Sequence, residues 1–508
     1  MANERVIGID IGTQGTKTAL FDLSGNCLAE AFHDSNLKRP APNAIEEDPE
    51  EQYEAVCAGI RDCVEQSSTA GGDVAAIAID GQMAGVLAVG DDGMAVTPYD
   101  SWLDTRCGPY VERMKETAGE EIVRKAGNAP SINHGPKKLW WMHERPEVFK
   151  RIRAFVQPGG YAAMRLCGLT GDQAFIDTSY LHFSGFANNR ENRWDDALCK
   201  EFGFDRNKLP NIVAPHEVVG KVTSDAAARC GVAEGTPVVA GCGDTAASFL
   251  AAGATREGVC VDVAGTASVF AATTKEFTPD VEHQTLGFSR SATPGLWHPY
   301  AYINGGGMNL EWFRKEIVGR DRSENDSIDF DELNRLAEEL GADADLPLFV
   351  PHVAGRVCPP EPAIRGAWAD LTWSHRIEHL YRALLEAVAL EYRTYKRILE
   401  GLLPELRLSE IRVTGGGEKS VFWNRIKASA LDLSVVQITR SYGAPMGSAM
   451  LAAYGAGLVS SLEEASDRWI ETGNSYTADP DLRKLYADKH ARYEWLVEAM
   501  VGLARLDR

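Results

Sequence analysis

The stretch Val6-Ile7-Gly8-Ile9-Asp10-Ile11-Gly12-Thr13-Gln14-Gly15-Thr16-Lys17-Thr18-Ala19-Leu20-Phe21 decides how the rest of this sequence is read. Val6 to Ile11 is an apolar run of strand length. Gly12 to Thr16 is turn chemistry, and Lys17 to Phe21 resumes a strand, so the segment predicts a β-hairpin with a glycine and hydroxyl tip. Glycines at the tip let backbone N–H groups approach an anion without interference from Cβ atoms, and Thr13 and Thr16 add hydroxyl donors. Asp10, at the end of the first strand, is placed to hold Mg²⁺ directly or through water. A plain hairpin turn is the competing explanation. The spacing is not that of a P-loop, because no glycine directly precedes Lys17.

Working outward, the same order returns at Val259–Ala264, Gly265-Thr266-Ala267-Ser268 and Val269-Phe270-Ala271: strand, Gly-Thr turn, strand. A second correspondence follows. Val74 to Ile79 reads as a strand ending in Asp80-Gly81-Gln82, and Ile411-Arg412-Val413 as a strand ending in Thr414-Gly415-Gly416-Gly417. A helical stretch precedes each, Pro49 to Gln66 and about His375 to Gly401, the latter with Leu380, Leu384, Ala387, Val388 and Leu390 at helical spacing. Alternating strands and helices indicate an α/β fold, and repetition at half the chain length indicates duplication. The expected division is 1–250 and 251–508, with 131–239, rich in aromatic residues and loops, elaborating the first half. Ser441 to Leu462 is uncharged and long enough to raise the question of a membrane span, but Pro445 and its glycines and serines predict a small-residue helix buried inside the fold.

Composition limits the function. A chain of 508 residues is too long for one core. Its formal net charge of −21 excludes the basic footprint that nucleic acid and anionic membranes require. Ten cysteines are scattered singly, without the close pairs of a zinc site, and predict reduced thiols. Met1 leads straight into a strand-like segment with no secretory pattern, so a cytoplasmic location is expected. A homodimer is compatible with this reading.

A second chemistry-bearing segment is Ala240-Gly241-Cys242-Gly243-Asp244-Thr245-Ala246-Ala247-Ser248. An acidic residue follows two glycines where an apolar strand meets a small-residue helix, so its carboxylate can point into a cleft. Phosphoryl transfer to an alcohol uses such a base. An N-cap aspartate is the structural alternative. The Gly265-Thr266 turn could grip phosphates from the other side, and Gly305-Gly306-Gly307 and Gly415-Gly416-Gly417 are further loops of close approach. One rival motif, His375-Arg376-Ile377-Glu378-His379, has the spacing of a zinc-binding helix, although Ser374 as N-cap would leave both histidines in the first exposed turns.

Taken together, these residues resemble the FGGY carbohydrate kinases, the sugar-kinase branch of the fold shared by actin and the heat-shock ATPases. The resemblance spans the chain through Asp10-Ile-Gly-Thr13, Gln82-Met83, Trp102-Leu-Asp104-Thr-Arg106, Lys138-Leu-Trp-Trp141, Gly243-Asp244, Gly265-Thr266, Arg365-Gly366, and Gly415 through Trp423. It implies two related domains of the actin-like, ribonuclease H-like ATPase fold with a cleft between them, sugar held mainly by the first and nucleotide by the second. It implies ATP and Mg²⁺, with Asp244 as catalytic base and Asp10 as the metal-associated aspartate. Gly12, Thr13, Gln14, Lys17, Gly265, Thr266, Gly307, Gly416 and Gly417 would meet the nucleotide. Gln82, Met83, Trp102, Asp104, Asp244 and Thr245 would line the acceptor pocket. Gln82-Met83 followed by Gly85 is most similar to the xylulose kinases, although Ala84 and Leu103 stand where those enzymes usually carry His and Asn. The implied acceptor is a small sugar or polyol such as the ketopentose xylulose. Kinases of ribulose, erythritol or gluconate type are the alternatives, and an ATP-driven binding module is a remote one.

Overall fold

The computed structural model describes residues 4–319, 328–342 and 344–506. In the first half the elements that matter are β1 (Arg5–Ile11), β2 (Gly15–Asp22), β3 (Cys27–Asp34), α1 (Pro49–Gln66), β4 (Val74–Gly81), β5 (Val218–Lys221), β6 (Pro237–Val239) and α2 (Asp244–Ala251). In the second they are β7 (Val259–Ala264), β8 (Ser268–Ala272), β9 (Gly287–Arg290), β10 (Trp297–Ile303), α3 (Gly306–Trp312), α4 (Ile377–Leu402), β11 (Glu410–Thr414), α5 (Val421–Leu431), β12 (Ser434–Arg440), α6 (Ala444–Gly455), β13 (Glu471–Tyr476) and α7 (Leu482–Leu506).

Two sheets carry the halves. The first runs β5-β6-β4-β1-β2-β3 and the second β9-β10-β8-β7-β11-β12-β13. Both are built on one plan. β1 pairs antiparallel with β2 and parallel with β4, and β7 pairs antiparallel with β8 and parallel with β11. The next strands out agree as well: β3 and β10 are antiparallel additions, β6 and β12 parallel ones. The duplication read from two Gly-Thr hairpins is therefore a duplication of sheet topology.

The two-residue period of β1 sorts its side chains. Ile7, Ile9 and Ile11 face the core that contains Tyr53, Val56 and Ile60 of α1. Val6 faces the opposite layer, with Ala76 and Ala78 of β4, Ala247 of α2 and Ala449 and Met450 of α6. Gly8 lies on that second face, where a Cβ would come within 1.8 Å of the Pro445 carbonyl oxygen. Small residues thus bring α6 hard against β1 and β4. The uncharged stretch is a buried helix only over Ala444–Gly455, which packs on the sheet of the opposite half. α2 joins the two halves from the other side: Ala246, Ala247 and Leu250 belong to the first core, while Phe249 packs with Val261, Ala271 and Tyr300 of the second sheet.

Two features depart from expectation. The segment 131–239 is not one elaboration, because β5 and β6 complete the first sheet. Its aromatic part, including Trp140, Trp141, Phe155, Phe186 and Trp194, forms a separate core. The long helix α4 starts at Ile377 with Arg376 as N-cap, two residues later than Ser374 suggested. Its histidines serve the turn: the Thr372 N–H donates to Nδ1 of His375 at 3.1 Å and the Arg376 N–H to Nδ1 of His379 at 3.2 Å. These local bonds give both histidines a place in the turn that starts the helix.

Candidate active site

Three carboxylates gather on the face of the first sheet that meets α2 and α6. The same alternation that directs Val6 and Gly8 to this face directs Asp10 there. Ala76 and Ala78 bring Asp80 to it likewise, and Asp10 and Asp80 are register partners across β1 and β4. Asp80 is fully buried; its Oδ2 accepts the Ser448 hydroxyl of α6 at 2.6 Å. Burial, and then the neighbouring Asp10 charge, push its carboxyl well above the usual carboxylate range. Burial also raises Asp10, with the Asp80 carboxyl and the Lys17 charge pulling the other way. Oδ1 of Asp10 is buried without a protein partner. An oxygen-only donor at a strand end, with one atom uncommitted, fits what Mg²⁺ takes.

The third carboxylate is Asp244, at the start of α2. The N-cap is Gly243, so Asp244 does not cap the helix with its side chain. Its Oδ1 accepts the Thr245 N–H at 2.5 Å and the Thr245 hydroxyl at 3.0 Å. Oδ2 has no protein hydrogen bond among the described residues. Burial first, then the Asp10 charge, push the Asp244 carboxyl up to about 7. The glycines before it are steric requirements. Gly241 has φ +74°, and a Cβ there would lie 2.0 Å from the Ile79 carbonyl oxygen. A Cβ on Gly243 would lie 1.8 Å from Sδ of Met83, which seats Met83 against the residue before Asp244.

Gln82, Thr13 and Trp102 form one chain. The Trp102 indole N–H donates to Oγ1 of Thr13 at 2.8 Å, and the Thr13 hydroxyl donates to Oε1 of Gln82 at 3.4 Å. Trp102 is 44% exposed, so its ring is available to a ligand. Thr13 is thereby engaged with the residues read as acceptor-side, whereas Gln14 is exposed at the hairpin tip. The Gly12 N–H closes the turn onto the Gly15 carbonyl at 3.0 Å. Lys17 stands across from Asp10 on β2, with its ammonium 3.2 Å from Glu30.

Asp104 is a correction. Its carboxylate does not line a pocket: Oδ2 accepts the Ile45 N–H at 2.9 Å and Arg106 Nε at 2.8 Å, and Oδ1 accepts the Arg106 N–H at 3.0 Å. With three hydrogen bonds to Ile45 and Arg106, the Asp104 carboxylate holds the turn that carries Trp102.

The remaining expected residues assemble on the second sheet. The Gly307 and Met308 N–H groups donate to the carbonyls of Gly265 and Thr266, each at 3.1 Å, which seats α3 on the second hairpin tip. A Cβ on Gly307 would lie 2.3 Å from the Gly265 carbonyl oxygen, and one on Gly417 would lie 2.6 Å from Ala264. Gly416 faces open space. Gly265, Thr266, Gly307, Gly416 and Gly417 are thus one surface, and the acidic group with its Trp102 chain is another.

Sequence reasoning missed Asp80, Ser448 and the props beneath Asp244. Tyr180 donates its hydroxyl to the Gly81 carbonyl at 2.9 Å, and the Gly243 N–H donates to Ser179 Oγ at 2.9 Å. Asp80 was in plain view one residue before Gly81, but only strand register puts it opposite Asp10.

Two duplicated α/β halves with helices shared between their sheets define the actin-like ATPase class. Within it the chain belongs to the FGGY family of carbohydrate kinases: the family's N-terminal domain matches residues 5–251 and its C-terminal domain residues 260–456. It is similar to the xylulose kinase of Bacillus subtilis (strain 168), 26% identical over 93% of this chain and 92% of that one. It is equally 26% identical to the gluconokinase of Bacillus subtilis (strain 168), over 99% and 96%. The crystal structure of xylulose kinase from Rhodospirillum rubrum superposes with a TM-score of 0.89 at 26% identity, covering 99% of this chain and 100% of that one. The protein is therefore a sugar kinase, an enzyme that phosphorylates a hydroxyl of a small sugar or polyol. Among the described residues no helix is long and apolar enough to cross a membrane.

Proposed function

We propose that this kinase transfers the γ-phosphate of ATP to a hydroxyl of a ketopentose, with xylulose as the preferred acceptor and Asp244 as the general base. Oδ2 of Asp244 takes the hydroxyl proton while the freed oxygen forms a bond to the γ-phosphorus. The bond from that phosphorus to the β,γ-bridging oxygen breaks, and ADP leaves. Met83, Gln82 and Trp102 hold the acceptor beside the base. Gly265 and Thr266, with Gly307, Gly416 and Gly417, offer the nucleotide a surface that backbone N–H groups can reach closely. Asp10 would hold Mg²⁺, which when bound would neutralise phosphate charge. Closure of the two halves excludes water, which would otherwise compete as acceptor.

The observation that carries this reading is the Asp244 carboxyl, one oxygen of which is fixed by the Thr245 N–H and hydroxyl while the other has no protein hydrogen bond among the described residues; burial pushes this carboxyl up to about 7. The resemblance to xylulose kinases over nearly the whole chain supports the acceptor. A panel of ketopentoses, pentitols, tetritols and hexopyranoses in an ADP-release assay tests it. D-xylulose should give the highest kcat/KM; a hexopyranose at the top would contradict the assignment.

A further inference from the structure

Residues 252–258 carry the chain from the end of α2 to the start of β7, out of the first half and into the second. This crossing is fastened along its length. Gly253 has φ +81°, and a Cβ on it would lie 1.9 Å from Nη1 of Arg412. That guanidinium comes from β11, and its Nη1 donates to the carbonyls of Gly253 at 3.2 Å and Ala252 at 3.4 Å. Its Nε donates to Oε1 of Glu410 at 2.7 Å, which holds the planar group in place. Further on, the Arg256 guanidinium donates to both carboxylate oxygens of Asp467, at 2.8 and 2.5 Å. At the far end the Gly258 N–H donates to the Thr273 carbonyl and its carbonyl accepts the Ser409 N–H, each at 2.9 Å.

Strand register explains why Arg412 reaches α2. Arg412 is the parallel partner of Val261 on β7, and partners of this kind point to the same face of a sheet. Val261 packs with Phe249 of α2, so Arg412 rises from the face on which the last turn of α2 rests. Carbonyls at the end of a helix lack partners within it and stand at the negative end of its dipole, and a guanidinium answers both needs.

The two sides of this contact lead to different parts of the site. α2 runs back from Ala251 to Asp244 over 8 residues, a lever of about 12 Å. β11 runs on from Arg412 to Thr414 and then into Gly415, Gly416 and Gly417. One side chain thus joins the helix that starts at Asp244 to the strand that ends in the glycine loop.

We propose that Arg412 is a positioning residue that passes the occupation of the glycine loop by nucleotide on to α2, so that Asp244 is set for the acceptor once ATP is bound. This rests on the kinase reading above and adds to it a physical route between the two surfaces.

Hydrogen exchange read by mass spectrometry on the full chain tests it. The probe is the magnesium complex of an ATP analogue with a methylene in place of the β,γ-bridging oxygen. In the wild type the analogue should slow exchange about tenfold in peptides covering 415–423 and also in those covering 244–253. In Arg412→Met, which keeps the stem and loses the donors, 415–423 should still slow and 244–253 should not. Its kcat should fall about tenfold while the KM for ATP holds. Arg412→Lys, which can reach one carbonyl, should recover part of the slowing at 244–253. A merely structural Arg412 would speed exchange with and without the analogue alike and leave the difference between them unchanged. That result, or a wild type in which 415–423 slows and 244–253 does not, overturns the proposal and leaves the kinase reading intact. A wild type in which neither segment slows overturns the nucleotide surface, and the proposal with it. If Arg412→Met does not fold, Glu410→Ala, which removes the anchor of the guanidinium, decides: slowing at 244–253 should weaken, and slowing equal to that of the wild type overturns the proposal.

Discussion

Asp244 carries a carboxyl whose proton affinity is raised to about 7, first by burial and then by the Asp10 charge. The base form is the deprotonated one, and for a raised carboxyl that form is lost as pH falls through the folded value. Acceptor kcat/KM should therefore rise with pH, bend near 7 and level off above it; a bend near 4, the ordinary carboxylate range, would show that the environment does not tune this group. Asp244 and Asp10 were legible as candidates because each sits at a strand–turn junction among glycines. Asp104 entered only through the family resemblance, and folding shows its carboxylate held by Arg106 and the Ile45 N–H. Asp80 was beyond reach because its partners, Asp10 and Ser448, lie 70 and 368 positions away.

At the scale of elements, hairpins and helices read well. The expected helix Pro49 to Gln66 coincides with α1, because Asp48 caps it through the Glu50 N–H and Pro49 fits its first position. What the chain does not spell out is which sheet a helix joins. α6 follows β12 of the second sheet, yet packs on β1 and β4, and its contact depends on Gly8 having no side chain. Gly8→Ala should force α6 from its seat and cost about 1–3 kcal/mol or more, read as a lower midpoint in denaturant; an unchanged midpoint would mean that α6 does not rest on β1. The second sheet has a different anchor. Asp262 of β7, buried, accepts the Tyr392 hydroxyl at 2.7 Å and is ion-paired with the buried Lys427 of α5. Lys427→Met would leave that carboxylate unpaired and should destabilise the protein by about 3–5 kcal/mol in the same measurement, while loss of less than about 1 kcal/mol would show the pair to be dispensable.

For the whole molecule, α2 matters most. It packs on the first sheet through Ala246, Ala247 and Leu250 and on the second through Phe249, and it begins at Asp244. Any motion of one half against the other is therefore felt at Asp244, and a clamp of this kind can align hydroxyl, base and γ-phosphate only when both ligands are in place. The central claim is that Asp244 acts on the acceptor proton and not on the nucleotide. The most direct test is Asp244→Ala, with kcat measured on D-xylulose and ATP affinity measured by calorimetry on the same preparation. A fall in kcat of about 10²–10⁴ with ATP affinity unchanged is the predicted result; near-normal turnover, or loss of turnover only through loss of ATP binding, would contradict it.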